Sequence, residues 1–169
     1  MKVIERYEGV AFDYLEYTKL KENEKNYIDE NVIIFSNLFG PLQAGNLGLP
    51  DYKLKQGETF DNLKIEKFYN DNFTEALDEY FLNEDIIDLR AGFYEKFYKI
   101  NKPYTTMKFI KGGKVVSHWA KAYRGVILKL IAINNIKTID ELMNMQIENL
   151  KIEEITKQKL NTQIVYSII

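Results

Sequence analysis

Lysines and arginines that could bind phosphate are concentrated in the second half of this 169-residue chain. Residues 86–137 carry eleven of them and only two carboxylates, Asp88 and Glu95, for a net charge of +9. The preceding residues 61–85 carry a net charge of −6. A positive field attracts nucleic acid or a small phosphorylated ligand, but a solvated basic surface offset by an acidic helix has the same composition. Charge alone leaves both interpretations open.

Two of the bases, Lys121 and Arg124, stand three residues apart in a predicted helix, so they project from one face. Gly125 follows them. Glycine inside a helix costs about 1 kcal/mol relative to alanine, which indicates close approach of a ligand or of another backbone. Arg90 follows a short predicted strand, where α/β proteins often place ligand-binding groups. These residues are candidates for anion binding.

The single histidine, His118, lies just before the basic helix and could act as a general base or contact phosphate. No Ser, Asp or Glu stands at a motif spacing from it, which favours a packed or surface histidine without a chemical role. With Tyr52 and Gly125 it is a candidate for a small-ligand pocket.

Aromatic and basic residues alternate over residues 93–99, as in stacking platforms for single-stranded nucleic acid. The spacing of the aromatic residues favours the simpler interpretation of a helix stripe that faces the core. They are Phe93, Tyr94, Phe97 and Tyr98.

Several classes of site are excluded by composition. The chain has no cysteine, which removes disulfides, thiol nucleophiles and cysteine-based metal sites, and one histidine rules out a multi-histidine site. Neither glycine-rich phosphate-binding motif is present, and no apolar run approaches the ~20 residues of a membrane span. We expect no catalytic residue, metal or cofactor and no membrane partner, and the sequence does not favour an enzyme.

The apolar pattern predicts a mixed α/β (α+β) fold with a short central sheet and flanking helices, in one domain over residues 1–169. Helices are predicted over residues 21–30, 65–82, 119–134 and 139–145, the last with Thr138 as N-cap. Strands are predicted over residues 32–36, 52–56, 86–89 and 163–169. A β-hairpin is predicted near 105–117, because two glycines separate two strand-like runs.

Five segments, taken in order, resemble a known family. They are YEGVAF at residues 7–12, SNLFGPL at 36–42, DYKLKQG at 51–57, DLRAGFY at 88–94 and AKAYRG at 120–125. They are similar to the C-terminal two-thirds of the YaaA family of bacterial peroxide-stress proteins. The family's Lys-x-x-Arg-Gly element is intact, whereas its Tyr-Arg-Leu-Glu reads Tyr-Lys-Leu-Lys at residues 52–55. Family members are longer at the N-terminus, so we expect a fragment or a truncated gene product.

The resemblance implies a cytoplasmic protein linked to oxidative stress and lower free iron, which binds double-stranded DNA through a basic cleft. Our first hypothesis is therefore that the bases at Lys53, Lys55, Arg90, Lys121 and Arg124 line one groove. The alternative is an enzyme-like pocket for a small anionic metabolite. A third hypothesis is a truncated protein without independent activity, whose open sheet edge could form a homodimer.

Overall fold

The computed structural model describes residues 1–169. The helices are α1 (Val10–Leu15), α2 (Glu22–Asn31), α3 (Ile65–Tyr80), α4 (Ser117–Ile133) and α5 (Ile139–Asn144). The strands are β1 (Ile33–Ser36), β2 (Gly40–Gln43), β3 (Ile87–Asp88), β4 (Tyr104–Lys111), β5 (Lys114–Val115), β6 (Leu150–Gln158) and β7 (Asn161–Ile168). Short 3-10 helices span Val3–Arg6, Tyr17–Lys19 and Gly92–Lys96. The predicted α+β class is confirmed.

Two compact units are interleaved along the chain, and each is described by itself. Unit 1 consists of Met1–Tyr7, Asn26–Glu84 and Arg90–Asn101. Unit 2 consists of Glu8–Lys25, Asp85–Leu89 and Lys102–Ile169. The prediction of one folding domain stays a prediction. None of the helices combines the length and the apolar character that a membrane-spanning helix requires.

Unit 1 is built around the antiparallel pair β1–β2 and the long helix α3. Its core is aromatic: Phe35 of β1 meets Phe97 edge-on at 6.4 Å between ring centroids, and Tyr69 of α3 stacks on Phe97 at 6.1 Å. Gly40 begins β2 with φ at +67°, and a Cβ there would lie 2.4 Å from the Tyr69 ring. The close packing of α3 on β2 therefore requires glycine at this position.

The predicted edge strand at residues 52–56 is wrong, because this segment has no partner strand. Side-chain burial does alternate along this segment, as the sequence suggested. Tyr52 and Leu54 are half-buried, while Lys53 and Lys55 are exposed. Side-chain bonds hold the segment instead, and the amide of Asn37 donates to the Leu54 carbonyl at 3.0 Å. An extended segment held this way has the two-residue alternation of a strand without the hydrogen bonds to a neighbouring strand.

Unit 2 contains the larger sheet, with strand order β3-β4-β7-β6 and β5 paired to β4. β4 runs parallel to β3 and β7, and β6 is antiparallel to β7. The hairpin predicted near residues 105–117 is β4–β5. The terminal strand was predicted, but β6 was not, since its residues are mostly exposed and polar.

Helices α4 and α5 of unit 2 begin and end near their predicted positions. In α5 the Thr138 hydroxyl accepts from the Glu141 backbone N–H at 3.2 Å, which confirms the predicted capping box. Helix α4 packs on the sheet through Tyr123, which stacks on Phe109 of β4 at 5.5 Å. Its other packed side lies against α1, where Gly125 meets the Ala11 backbone.

Candidate nucleic-acid interface

The basic residues of α4 differ in their exposure and in their position around the helix. Tyr123 faces the sheet and Gly125 faces α1. Lys121 is four residues before Gly125 and lies on the same side of the helix as that glycine, whereas Arg124 projects between the directions of Tyr123 and Gly125. Lys121 is exposed and Arg124 is half-buried. The helix thus carries one cation in water and a second cation partly withdrawn from it.

Arg124 is a partly desolvated cation of unit 2. Burial lowers the pKa of its guanidinium, and the carboxylate of Asp88 opposes that effect. Asp88 belongs to the same unit as Arg124. A guanidinium offers five N–H donors, and a buried charge without acceptors costs free energy. An anion bound from outside would remove this cost.

Lys129, one turn further along α4, shows the contrasting arrangement. Its ammonium donates to a carboxylate oxygen of Glu16 at 2.5 Å, and Lys19 donates to the other oxygen at 2.5 Å. The hydrogen bond from Lys129 is the main reason that the pKa of Glu16 falls to about 2. Lys129 therefore forms a direct ion pair within unit 2, with a carboxylate that it shares with Lys19.

The tip of the β4–β5 hairpin places two lysines directly opposite each other. Lys111 pairs with Lys114 across the turn, and both side chains are exposed. Gly112 and Gly113 form that turn with φ of +56° and +75°. Like charges directly opposite each other in a sheet are destabilising. An anion bound between the two lysines would relieve this repulsion.

His118 and Trp119 lie between the hairpin and Lys121. His118 is exposed on the first turn of α4, and its ring meets Trp119 edge-on at 6.2 Å between centroids. Trp119 is 41% exposed. A surface indole beside cations is suited to stacking on a base.

Arg90 lies in unit 1 and has partners there. Its guanidinium donates to the carbonyls of Tyr94 and Tyr98 at 3.2 and 3.1 Å and lies over the Phe35 ring at 4.5 Å. These contacts fix residues 92–98 against β1. The predicted core stripe of this segment is confirmed for Phe97 and Tyr98, which are buried.

The remaining predicted site residues divide between the units. Tyr52, Lys53 and Lys55 lie in unit 1 with Arg90. His118, Lys121, Arg124 and Gly125 lie in unit 2. Each set belongs to one unit, and the single groove joining both sets stays a prediction.

Two further features concern ligand chemistry. A shallow depression at the end of α4 and along α5, within residues 134–146, contains none of the predicted site residues. No group of three or more His, Cys, Asp or Glu side chains is arranged to hold a metal ion.

A family model described as "Peroxide stress protein YaaA" matches residues 1–156. The chain belongs to this family. The YaaA resemblance carried by the five segments is therefore confirmed.

The relatives of this YaaA-family chain include proteins from several bacteria. It is 50% identical over 163 residues to an uncharacterized protein of Campylobacter jejuni, covering 96% of this chain and 66% of the relative. It is 29% identical over 166 residues to a UPF0246 protein of Corynebacterium glutamicum, covering 91% and 65%. A UPF0246 protein of Hahella chejuensis is 29% identical over 151 residues, covering 82% and 59%. The chain thus spans about 59–66% of these relatives' lengths.

Four of the five YaaA-like segments meet at a cluster of side chains in unit 1 that the sequence did not predict. The cluster comprises Tyr7, Ser36, Asn37, Tyr52 and Tyr94, and we call it the hydroxyl cluster. Only Tyr52 was a predicted site residue, and Tyr94 was assigned to a core stripe. The sequence contained one indication of this cluster, the serine that ends the apolar run of β1. A polar residue buried at that position needs hydrogen-bond partners.

Proposed function

We propose that this YaaA-family protein takes part in the response to peroxide by binding DNA through a basic surface on unit 2. That surface comprises Lys111, Lys114, Lys121 and Arg124. The observation that carries the proposal is the half-buried, partly desolvated guanidinium of Arg124, on which the Asp88 carboxylate acts electrostatically. DNA phosphate oxygens are strong acceptors for such a group.

The opposed lysines of the hairpin support the same ligand. Two uncompensated charges at Lys111 and Lys114, followed by Lys121 one helix turn into α4, are suited to a row of phosphates rather than to one small anion. The predicted contacts of Lys53, Lys55 and Arg90 in unit 1 remain part of the proposal. Carbonyl groups already engage Arg90, so we expect the smallest contribution from it.

The experiment is a fluorescence-anisotropy titration of a labelled duplex and a labelled single strand at two salt concentrations. Each phosphate contact contributes a slope of about −0.9 in log K against log salt on B-DNA. We expect salt-sensitive binding, with the slope reduced by about two in the Lys121→Glu/Arg124→Glu variant. Affinity that does not depend on salt would contradict the proposal.

A matched control separates this surface from net charge. Lys151 and Lys157 are exposed on β6 in the same unit, so Lys151→Glu/Lys157→Glu makes the same change in charge. We expect this control to retain most of the wild-type affinity. Equal losses of affinity in the two variants would show that DNA binding depends only on the net charge of the protein.

The association with lower free iron that the resemblance implies also stays a proposal. It is tested by measuring chelatable iron in peroxide-treated cells that contain the wild type, the Lys121→Glu/Arg124→Glu variant or no copy of the protein. We expect higher chelatable iron without the protein. The same iron level with and without it would contradict this part.

A further inference from the structure

We propose that Trp119 stacks on an unpaired base, so that the basic surface of unit 2 binds single-stranded DNA in preference to an intact duplex. This inference rests on the proposed DNA binding and names the class of DNA that the surface prefers. It is based on the exposure of the indole, on the rings packed behind it and on the lysines of the β4–β5 hairpin.

Trp119 is the only tryptophan of the chain, and it is 41% exposed. Tryptophan is highly buried on average in folded proteins, so an indole this exposed departs from the usual pattern. Val115, which ends the hairpin, is 65% exposed. The other exposed side chains within residues 111–121 are polar or basic, and residues 96–139 contain no carboxylate. The indole therefore lies in a segment whose charge attracts a polyanion.

A series of packed rings lies behind the indole. The ring centroids of Trp119 and Tyr123 are 6.1 Å apart, with 36° between the ring planes. Tyr123 stacks on Phe109 of β4 at 5.5 Å, and Phe109 stacks on Tyr166 of β7 at 5.8 Å. Tyr123, Phe109 and Tyr166 are buried. The sheet thus fixes the ring against which Trp119 packs, and a side chain ordered in advance loses less entropy when it binds a ligand.

The hairpin supplies the cations that accompany the indole. Trp119 precedes Tyr123 by four residues, so it lies on the sheet side of α4, one turn nearer to the hairpin. Lys114 comes five residues before Trp119 and is paired with Lys111. Binding sites for single strands combine basic groups that follow the phosphates with aromatic side chains on which bases stack. We therefore assign the phosphates next to the stacked base to the hairpin lysines.

The need for a free base face distinguishes the two forms of DNA. In an intact duplex each base is already stacked between its neighbours, and extruding one costs free energy. A base in a single strand can stack on Trp119 without that cost. Phosphate groups are available to Lys111 and Lys114 in both forms, so stacking is the contribution that favours the single strand.

The test uses the fluorescence of the whole chain, because Trp119 is its only indole and the emission reports the surroundings of that ring. The protein is titrated at one low salt concentration with oligothymidine and with a long blunt-ended duplex, compared at equal phosphate concentration. We expect saturable quenching and tighter binding with oligothymidine, and little quenching with the duplex. Equal quenching by the two forms, or none with oligothymidine, would overturn the inference.

Variants assign the effect to the indole. Trp119→Leu should lower the affinity for labelled oligothymidine, measured by anisotropy, by at least about fivefold, the factor for one lost base–aromatic stack. Trp119→Phe keeps a ring and should retain more of the affinity. Neither variant should change the affinity for the duplex.

The matched control is Phe60→Leu, because Phe60 is an aromatic residue of unit 1 that is 57% exposed. We expect it to change neither affinity. An affinity of Trp119→Leu for oligothymidine equal to that of the wild type would overturn the inference. Trp119→Gln replaces Trp119→Leu if circular dichroism shows that the leucine variant does not fold.

Failure of this inference can be distinguished from failure of the proposed DNA binding. Salt-sensitive binding of both DNA forms without quenching, and without an effect of Trp119→Leu, would overturn the stacking and leave DNA binding in place. Absence of salt-sensitive binding to either form would overturn both. Lys111→Glu/Lys114→Glu should weaken the binding of both forms, whereas Trp119→Leu should weaken that of the single strand alone.

Discussion

Gly125 of α4 lies so close to Ala11 of α1 that a Cβ on the glycine would be 2.0 Å from the Ala11 carbonyl oxygen. The sequence left two explanations for a glycine in mid-helix, a ligand or another backbone. Within unit 2 the backbone of α1 supplies the close approach. Gly125 thus sets the position of the helix that carries Lys121 and Arg124.

We predict that Gly125→Ala destabilises the protein by about 1–3 kcal/mol or more, the usual cost of overpacking, despite the better helix propensity of alanine. Urea unfolding monitored by circular dichroism measures this. Gly92→Ala is the matched control, since nothing lies within 4 Å of a Cβ there. A Gly125→Ala variant as stable as Gly92→Ala would contradict the packing account.

The Glu16 carboxylate predicts a stability change at acid pH. Its pKa in the folded protein is about 2, against 4.5 ordinarily, mainly because Lys129 and Lys19 donate hydrogen bonds to it. A lowered folded-state pKa contributes stability above pH 4.5 that is lost as pH falls toward 2. Thermal melts from pH 6 to 2 should therefore show a smaller decline for Glu16→Gln than for wild type. Parallel declines would show that this contact contributes nothing.

Two buried tyrosines should respond oppositely to loss of the hydroxyl. Tyr166 Oη is buried without a hydrogen-bond partner, whereas Tyr98 Oη donates to Asp78 Oδ1 at 2.7 Å. An unsatisfied buried polar group costs about 1–3 kcal/mol, so Tyr166→Phe should raise the free energy of unfolding. Tyr98→Phe should lower it. A destabilised Tyr166→Phe would instead indicate a partner, such as a buried water, at that hydroxyl.

Strand β6 is an open edge of the larger sheet, so the homodimer predicted from the sequence acquires a specific form. Antiparallel self-pairing centred on Ile155, which is 45% exposed, would set Glu153 of each copy opposite Lys157 of the other. The bulge between Ile152 and Glu154 limits the pairing, so we predict weak association. Sedimentation equilibrium should show dimers at high concentration that Ile155→Lys removes. A monomer at every concentration would contradict this.

The sequence predicted correctly those elements that are determined by residues close together in the chain. The capping box at Thr138, the two-glycine hairpin and the apolar stripe of α4 each form where expected, because each depends on residues a few positions apart. Strand β6 was missed because the edge of a sheet buries little apolar surface, which leaves a weak pattern.

The candidate site was predictable only in part, for a similar reason. Lys121 and Arg124 are neighbours on one helix, so their spacing predicts their common face. The hydroxyl cluster joins Tyr7 to Tyr94 through residues of two further segments. Local spacing contains no information about such long-range pairs. Nor does it show that Lys129 of α4 forms an ion pair with Glu16, which is 113 positions away in the chain.

The most direct test of the central claim removes the Arg124 charge without reversing it, because a new negative charge would repel DNA from any position. We would measure duplex affinity by anisotropy for wild type and Arg124→Met at the same low salt, with urea unfolding of both proteins. We expect affinity lower by about tenfold, a salt slope smaller by about one, and no loss of stability, since the desolvation of a half-buried charge disfavours the fold. Unchanged affinity together with a destabilised fold would contradict it and would assign Arg124 to the structure of unit 2.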